Sequence, residues 1–478
     1  MADLWSFTGA ARHWSATTPG RLRLQSLLVA ASTLILLVTG SGSLGAAFVT
    51  EIDVHQQTVA AIVGVQRLHA WLAAADRSAA NSYLTGGAEL TLPQQQYEAD
   101  VSAASRELEQ AGERRIGGGV ASQRLQAISQ AVSEYTRLVD TAMVQHRLGH
   151  PDGMTALRSA SDQMHRPGDG ILAQVEAVEA LYTTVLGRAN VTLAIAAGLL
   201  AAFVVDAVVL LALLLWTQRF VRRRFRRRHN KRLLAATLAT VVVVGGTGIG
   251  VAGAYQSILR SQGQYARLLN LWHARSLAYD ANGATSRFLI EGGSPAVAAD
   301  AAEVGGADQL VDRPLTDELL QEAARGRVLF DGLLADELRA AASGAERDAA
   351  MRVVVAYRQF ADIDASVHAQ AAAGHQAAAV TLTLGTYGAP LGLAFKSLDW
   401  GPRLGAVRDW SEGELGYAFG EFDWDLARLT ALVQREFDST MTGVVTMLAQ
   451  AIGLQAVSVA IAVLTFAGLR PRIAEYRV

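Results

Sequence analysis

Two matched histidine–aspartate pairs are the first residues whose types and spacing could do chemistry. His69 precedes Asp76 by seven residues, and His273 precedes Asp280 by the same spacing. A repeated polar pair could contact a ligand, but no further group completes a reaction geometry around either copy. The pattern therefore favours a helix face that docks on its neighbour, with ligand contact as the alternative.

Asp206 is a second candidate because it interrupts the apolar run Val191–Trp216. It lies ten residues before Trp216, which places it about 15 Å along a helix and near the middle of a bilayer. An acid at that depth is costly, and it indicates either a functional group or a hydrogen-bonded helix contact. The structural interpretation is favoured, with Gln450 and Gln455 as candidate partners, and signalling, gating or ion transport are the alternatives.

Sequence motifs for catalysis and cofactor binding are absent. The chain contains no Gly-rich phosphate loop, HExxH, paired CxxC or nucleophile elbow. It has no cysteine, which excludes disulfides and Cys-ligated metals. His146 and His150 are four residues apart, but Gly149 lies between them at a helix end and no third ligand is placed. We therefore expect a non-enzyme without a metal or cofactor.

The segment Arg219–Arg232 is the strongest positional signal in the chain. It carries nine Lys or Arg residues and no acid, and apolar runs of membrane-spanning length flank it. Such basic segments stay on the cytoplasmic side, so we expect this one inside the cell. A nucleic-acid patch would need the segment exposed on a soluble domain, which its flanks forbid. The residues expected to contact a cytoplasmic partner or lipid are Arg219, Arg222, Arg223, Arg224, Arg226, Arg227, Arg228, Lys231 and Arg232.

Four apolar runs are long enough to cross a bilayer core of about 30 Å, which predicts an integral protein of the cell membrane. The first run also resembles a cleaved signal peptide, but it continues past the small-residue site, so an uncleaved anchor is favoured. In the third run, Gly246, Gly250 and Ala254 form a small-residue row suited to close helix crossing. The predicted segments are a cytoplasmic N-terminus at 1–23, transmembrane spans at 24–49, 191–216, 233–255 and 444–469, extracytoplasmic regions at 50–190 and 256–440, the basic loop at 217–232 and a cytoplasmic tail at 470–478.

Both outer regions have helical periodicity almost throughout, which predicts an all-α fold. In the first region, helices are predicted at Glu51–Leu84, Pro93–Ala111, Val120–Leu148 and Ile171–Arg188. In the second they are predicted at Gln256–Ile290, Pro314–Leu338, Ala345–His375 and Asp423–Phe437, with Thr381–Gly420 as an irregular insertion. Amphipathic helices joined by Gly and Pro turns favour antiparallel bundles. We therefore predict four transmembrane helices with two tandem extracytoplasmic helical bundles.

The second outer region repeats the first. The stretch His69–Asp76 aligns with His273–Asp280 at a shift of 204 residues. One extra residue in the second copy then brings Tyr83 into alignment with Phe288, and a Gly-Gly pair follows in each copy. This pattern indicates an internal duplication of a span–bundle–span unit.

The run Ala75–Glu89, followed by Pro93, Tyr97 and Asp100, resembles the actinobacterial GlnX type of four-span membrane protein. Each outer region also resembles the four-helix sensor module of bacterial chemoreceptors, although the long cytoplasmic signalling rod is missing. The GlnX resemblance covers nearly all of the chain and departs from the family pattern at Thr381–Gly420. It implies a relay from an extracytoplasmic amino-acid-binding lipoprotein to a soluble cytoplasmic Ser/Thr kinase.

Chemoreceptor modules often bind amino-acid carboxylates through arginine, so the resemblance offers four arginines of the duplicated helices as ligand contacts. These are Arg67, Arg77, Arg275 and Arg287. Exposed arginine on a solvated helix face is the competing interpretation.

The sequence as a whole favours a non-enzymatic transmembrane sensor or relay, because the predicted inner segments are too short to form a folded domain. A structural scaffold of the cell envelope is the alternative, and a channel or transporter subunit is a third hypothesis. Bundles of this kind often pair, which adds a homodimer to the options. We expect the membrane to be a partner and nucleic acid not to be one.

Overall fold

The computed structural model describes residues 18–49, 57–85, 92–114, 116, 118–225, 231–292, 306–384 and 415–474. Every regular element in this described part is helical and no strand occurs there, which confirms the predicted all-α class. The helices, numbered in chain order, are α1 Thr18–Val49, α2 Ala60–Leu84, α3 Leu92–Glu113, α4 Gly118–Arg147, α5 Asp152–His165, α6 Ile171–Phe225, α7 Lys231–Ile290, α8 Ala307–Leu310, α9 Asp317–Ala324, α10 Leu333–Ala340, α11 Gly344–Ala372, α12 Gln376–Leu384 and α13 Leu415–Ala474.

The chain divides into two compact units. Unit 1 consists of Met1–Gln56, Leu186–Ser261 and Asp438–Val478, and unit 2 consists of Gln57–Val185 and Gln262–Phe437. The two outer regions predicted as tandem bundles therefore share one compact unit. Helices α6, α7 and α13 each run unbroken through residues of both units.

Unit 1 is built from apolar helices with apolar outer surfaces. Its two buried clusters join α1 to α6 through residues such as Leu36 and Phe203, and α7 to α13 through Val243 and Ile461. Large apolar side chains on the outside are nonetheless exposed, for example Ile249 at 77%. Water disfavours such a continuous apolar exterior, whereas lipid solvates it. Unit 1 thus has the surface of a membrane-embedded bundle.

Four helical segments are long and apolar enough to cross a membrane: Leu24–Ala46, Gln57–Leu84, Ala197–Phe220 and Leu234–Gly253. Three of them coincide with predicted spans, which supports a membrane protein. The segment Gln57–Leu84 differs, because it belongs to unit 2 and 83% of its apolar window is buried there. We describe it as a core helix rather than a span. The fourth predicted span, Val444–Leu469, is not among these four segments; it lies within α13, where several side chains are outside the described part.

Unit 2 contains the helices predicted from periodicity, with two corrections. Helix α5 lies between the predicted helices Val120–Leu148 and Ile171–Arg188, where no helix was predicted, and it buries Leu157, Ala160 and Met164 on one face. The predicted helix Pro314–Leu338 is instead two short helices, α9 and α10. The backbone between them passes through left-handed conformations at Gly326 and Gly332, with φ of +95° and +114°, which an α-helix cannot include.

The predicted irregular segment Thr381–Gly420 is helical at both of its described ends. Residues 381–384 belong to α12, and α13 begins at Leu415, eight residues before the predicted start at Asp423. The early start of α13 buries Leu415, Ala418 and Phe419 in the largest core cluster of unit 2. Residues 385–414 lie outside the described part.

Candidate functional site

Helices α2 and α7 carry the two stretches that the sequence predicts to be a duplication, and they lie against each other in unit 2. Ser286 of the second copy donates a hydrogen bond of 2.6 Å to Asn81 of the first. The Arg77 guanidinium lies 5.3 Å from the centre of the Tyr279 ring, and Gly283 leaves room for the backbone of Arg77. The matched faces of the two copies therefore form a direct contact.

Asp76 of α2 is the most heavily bonded acid of this contact and is only 4% exposed. Tyr135 of α4 donates a hydrogen bond of 3.2 Å to one carboxylate oxygen. His165, at the end of α5, lies 3.0 Å from the other oxygen, which also accepts a hydrogen bond from Arg287 of α7. Burial alone raises the pKa of Asp76, but the Arg287 charge and the His165 hydrogen bond outweigh it, and the pKa lies below its ordinary value.

Asp280 occupies the matching position in the second copy but has different surroundings. It is 8% exposed, and among the described residues no side chain donates a hydrogen bond to it. Burial raises the pKa of Asp280 to about 6, although the charges of His165 and Arg287 oppose this effect. We call Asp76, Tyr135, His165, Asp280 and Arg287 the junction cluster. In this cluster, Arg287 and His165 act on the buried carboxylates of both Asp76 and Asp280.

The two matched histidines lie on the same interface. His69 is 6% exposed, and its pKa falls to about 4 because burial disfavours the charged ring and because His273 and His165 add positive charge nearby. His69 is thus neutral at physiological pH. Uncharged imidazole suits a packed helix contact better than it suits an anion site.

Arg275 forms a buried bidentate ion pair with Asp423 of α13. The two hydrogen bonds measure 2.7 and 2.8 Å, and the Arg275 side chain is 5% exposed. Burial lowers the pKa of Arg275, but Asp423 more than offsets this, and the net pKa is raised. The rings of Trp71, Trp272 and Tyr279 lie within 6 Å of the guanidinium, so the pair is enclosed by aromatic groups.

The other three predicted ligand arginines also have internal contacts. Arg67 forms an ion pair of 3.0 Å with Glu107, and Arg287 pairs with Asp76. Arg77 contacts no carboxylate in the described part and instead lies over the rings of Tyr279 and Phe419. A ligand carboxylate would therefore have to displace an internal acid at every predicted arginine except Arg77.

In unit 1, Asp206 accepts a hydrogen bond of 2.8 Å from Ser32 of α1. The Ser32 contact links the first two spans, so Asp206 acts as a polar contact between helices. The side chain of the expected partner Gln450 is exposed. The Gln455 side chain lies outside the described part.

The basic loop is described only at its two ends. Arg219, Arg222 and Arg223 are exposed at the end of α6, and Lys231 is exposed at the start of α7. These four cations are accessible for a partner or a lipid headgroup. The remaining predicted contacts, which are Arg226, Arg227 and Arg228 and the side chains of Arg224 and Arg232, lie outside the described part.

Sequence reasoning missed Tyr135 and His165. Tyr135 belongs to a second repeated pattern, because Tyr135 and His146 are spaced as Tyr357 and His368 are in α11. The two histidines make equivalent ring contacts, His146 with Tyr83 at 4.0 Å and His368 with Phe288 at 4.5 Å. This repeat was a detectable signal. No pattern marks His165, which becomes part of the site only through the position of α5.

Among the described residues, no group of three or more His, Asp or Glu side chains is arranged to hold a metal ion. The junction cluster includes two acids and a histidine, but Arg287 supplies the positive charge next to them. This arrangement can hold and exchange protons, and its hydrogen bonds link four helices.

Residues 52–190 match a family described as an actinobacterial sensor domain. The matched segment begins shortly before α2 and ends within α6, so it includes Asp76, Tyr135 and His165. No curated protein and no solved structure matches the chain. The family match supports a sensor role, and three apolar helices of unit 1 support a membrane location.

Proposed function

We propose that the chain is a non-enzymatic transmembrane sensor that passes an extracytoplasmic signal to a separate cytoplasmic protein. The observation that carries this proposal is the match of residues 52–190 to a sensor domain, in a chain that also contains membrane-spanning helices. In this proposal, unit 2 receives the signal outside the cell and unit 1 conducts it across the membrane.

The continuity of three helices supports a mechanical relay. Helices α6, α7 and α13 have 55, 60 and 60 residues, and each passes from one unit into the other without a break. An α-helix rises about 1.5 Å per residue, and its backbone hydrogen bonds couple each turn to the next. A small rotation or shift of packed helices in unit 2 is therefore expected to move the cytoplasmic ends of the same helices.

The basic loop between α6 and α7 is the proposed contact for the cytoplasmic partner. Arg219, Arg222 and Arg223 are exposed there, and arginine forms bidentate contacts with carboxylates and phosphates. The GlnX resemblance suggests a Ser/Thr kinase as this partner and an amino-acid-binding lipoprotein as the outer partner. The signal in that case is the availability of an amino acid.

Cross-linking of the tagged chain in its native membrane, followed by mass spectrometry, tests the relay. We compare the wild-type protein with a variant in which Arg219, Arg222 and Arg223 are replaced by Gln. The matched control replaces Arg325 and Arg327, two exposed arginines of unit 2, by Gln.

The relay predicts a solute-binding lipoprotein and a kinase among the cross-linked proteins, with only the kinase lost in the loop variant. Recovery of cell-wall machinery alone, unaffected by either set of substitutions, would replace the relay by the scaffold function.

A further inference from the structure

The contact between the two copies is asymmetric because of one residue. In the alignment of α2 with α7, Ser82 corresponds to Ser286 and Tyr83 corresponds to Phe288, so Arg287 has no counterpart in the first copy. This additional arginine donates to Asp76 across the interface. The extra residue of the second copy therefore neutralises an acid of the first.

Asp76 and Asp280 consequently differ in how well their surroundings stabilise the ionised carboxylate. Asp76 has donors from α4, α5 and α7, whereas Asp280 is buried without a hydrogen bond from the described residues. The charged or titratable groups that act on Asp280 are His165 on α5, Arg287 on its own helix, Asp76 on α2 and Glu176 on α6. Asp76 and Glu176 repel its charge, while Arg287 attracts it.

The histidines and the tyrosine complete the set of groups around the junction. His69 and His273 lie along the same α2–α7 interface, and His69 is held neutral by burial together with the charge of its neighbours. Burial and the nearby Asp76 raise the pKa of Tyr135 well above its ordinary value, so it remains a hydrogen-bond donor. Asp280 is therefore the acid of this interface that takes up a proton in mildly acidic conditions.

We propose that the junction cluster is a proton-responsive latch between the two copies. When both buried acids are ionised, Asp76 and Asp280 share the single positive charge of Arg287, and the excess negative charge weakens the packing of α2 against α7. Uptake of one proton by Asp280 removes this excess and tightens the contact. The ligand of this site is the proton itself.

The direction of the effect follows from linkage. The pKa of Asp280 rises from its ordinary 3.8 to about 6 in the folded chain. The stability contributed by its protonated form is complete below about pH 3.8 and is lost as the pH rises through about 6. The latch thus closes on acidification and loosens towards neutral and alkaline pH.

The latch rests on the proposed function only for its effect across the membrane, since its protonation is a property of unit 2 itself. The test uses the full-length chain in detergent and measures the melting temperature from pH 4.5 to 8. The variant Asp280→Asn imitates the protonated acid, and the control Asp348→Asn removes an exposed acid of α11.

We expect wild type and Asp280→Asn to melt at similar temperatures near pH 4.5. At pH 8 the variant should melt several degrees higher than wild type, whereas Asp348→Asn should stay at a constant offset. A constant offset for Asp280→Asn, or one that changes in the opposite direction, would overturn the latch.

A second measurement needs no variant and covers the case in which Asp280→Asn does not fold. Hydrogen exchange of wild-type peptides from residues 76–84 and 280–290, corrected for the intrinsic rate, should show greater protection at pH 5.5 than at pH 8. Peptides from α11 serve as the internal reference. Equal changes in all peptides would reject the latch, whereas an intact response without any kinase cross-link would reject only the relay.

Discussion

At the scale of single residues, the Arg275–Asp423 pair shows how burial changes the value of an ion pair. Both side chains are nearly enclosed, and aromatic rings exclude water from the guanidinium. An exposed ion pair contributes about 0–1 kcal/mol, but removing one partner of a buried pair costs about 3–5 kcal/mol. The cost arises because the remaining charge stays buried without compensation.

We therefore predict that Arg275→Met lowers the free energy of unfolding by about 3–5 kcal/mol. The double variant Arg275→Met with Asp423→Leu should recover most of this loss, since no charge remains unpaired. Chemical unfolding in detergent measures both. The control Arg325→Gln, at an exposed ion pair with Glu322, should change the value by less than about 1 kcal/mol. A double variant no more stable than Arg275→Met would contradict this account.

Glu337 provides a second residue-scale prediction, based on pH. It is 3% exposed and pairs with Arg267 at 3.1 Å, yet burial raises its pKa to about 7. Stability from its protonated form is complete below about pH 4.5 and is lost as the pH rises through about 7. Glu337→Gln should therefore gain melting temperature relative to wild type between pH 4.5 and 8. The exposed Glu318→Gln is the control, and a parallel gain there would refute the assignment to Glu337.

At the scale of elements, α7 and α13 pack closely against each other at Gly250, which is one of the small residues in the row predicted for the third span. A side-chain carbon added at Gly250 would lie 3.1 Å from the Ala451 side chain, and one added at Gly253 would lie 3.2 Å from the Met447 sulfur. At Gly248 the same atom would meet nothing within 4 Å. A larger side chain would therefore be crowded by α13 at Gly250 and Gly253 but not at Gly248.

Gly250→Val is accordingly expected to destabilise the contact of α7 with α13 by about 1–3 kcal/mol through overpacking. Gly248→Val, two residues away on an open face, should leave it unchanged. Titration of the detergent-solubilised chain with SDS gives the unfolding midpoint for each. Equal midpoints for the two variants would mean that α7 and α13 do not cross at Gly250.

Helix existence was predictable from periodicity, whereas some helix ends were not. The apolar stripes of α3 and α4 are complete in the sequence, so their bounds differ from the prediction by a few residues. Pro167 and Gly168 also marked the turn before α6. By contrast, the two glycines that separate α9 from α10 are isolated, and an isolated glycine is compatible with a helix until its φ is known.

The candidate site was predictable in part. The duplication identified Asp76, Asp280 and both matched histidines as members of one repeated face. It did not identify their partners, because Tyr135 and His165 come from α4 and α5, and only tertiary packing brings those helices to the interface. The sequence did not predict that Arg275 pairs with Asp423, because Asp423 lies 148 residues away along the chain.

At the scale of the whole molecule, charge and hydropathy are distributed as a membrane topology requires. The exposed cations at the ends of α6 and α7 adjoin two apolar spans, and residues 51–190 carry 16 acids against 11 arginines. The positive-inside rule then predicts that the basic loop lies in the cytoplasm and unit 2 outside. The absence of cysteine from the sequence makes this orientation directly measurable.

We predict that single cysteines at the exposed positions Ser129 and Ser366 of unit 2 react with a membrane-impermeant maleimide in intact cells. A cysteine at Arg223, which is exposed in the basic loop, should react only after the membrane is permeabilised. The unlabelled wild-type chain is the background control. Labelling of Arg223→Cys in intact cells, with protection of the two serine positions, would invert the topology.

The extra arginine of the second copy has a further consequence, for stoichiometry. A duplicated receptor with two equivalent faces would bind two copies of an outer partner. Here Arg287 adds a residue to one helix of the pair, and residues after such an insertion are rotated by about 100° on the helix relative to their counterparts. The residues that follow it, Phe288 and Leu289, are each 2% exposed, so the insertion changes how the two helices pack and makes the two copies inequivalent. Under the proposed relay, one chain is then expected to recruit one outer partner, and titration by native mass spectrometry would count it.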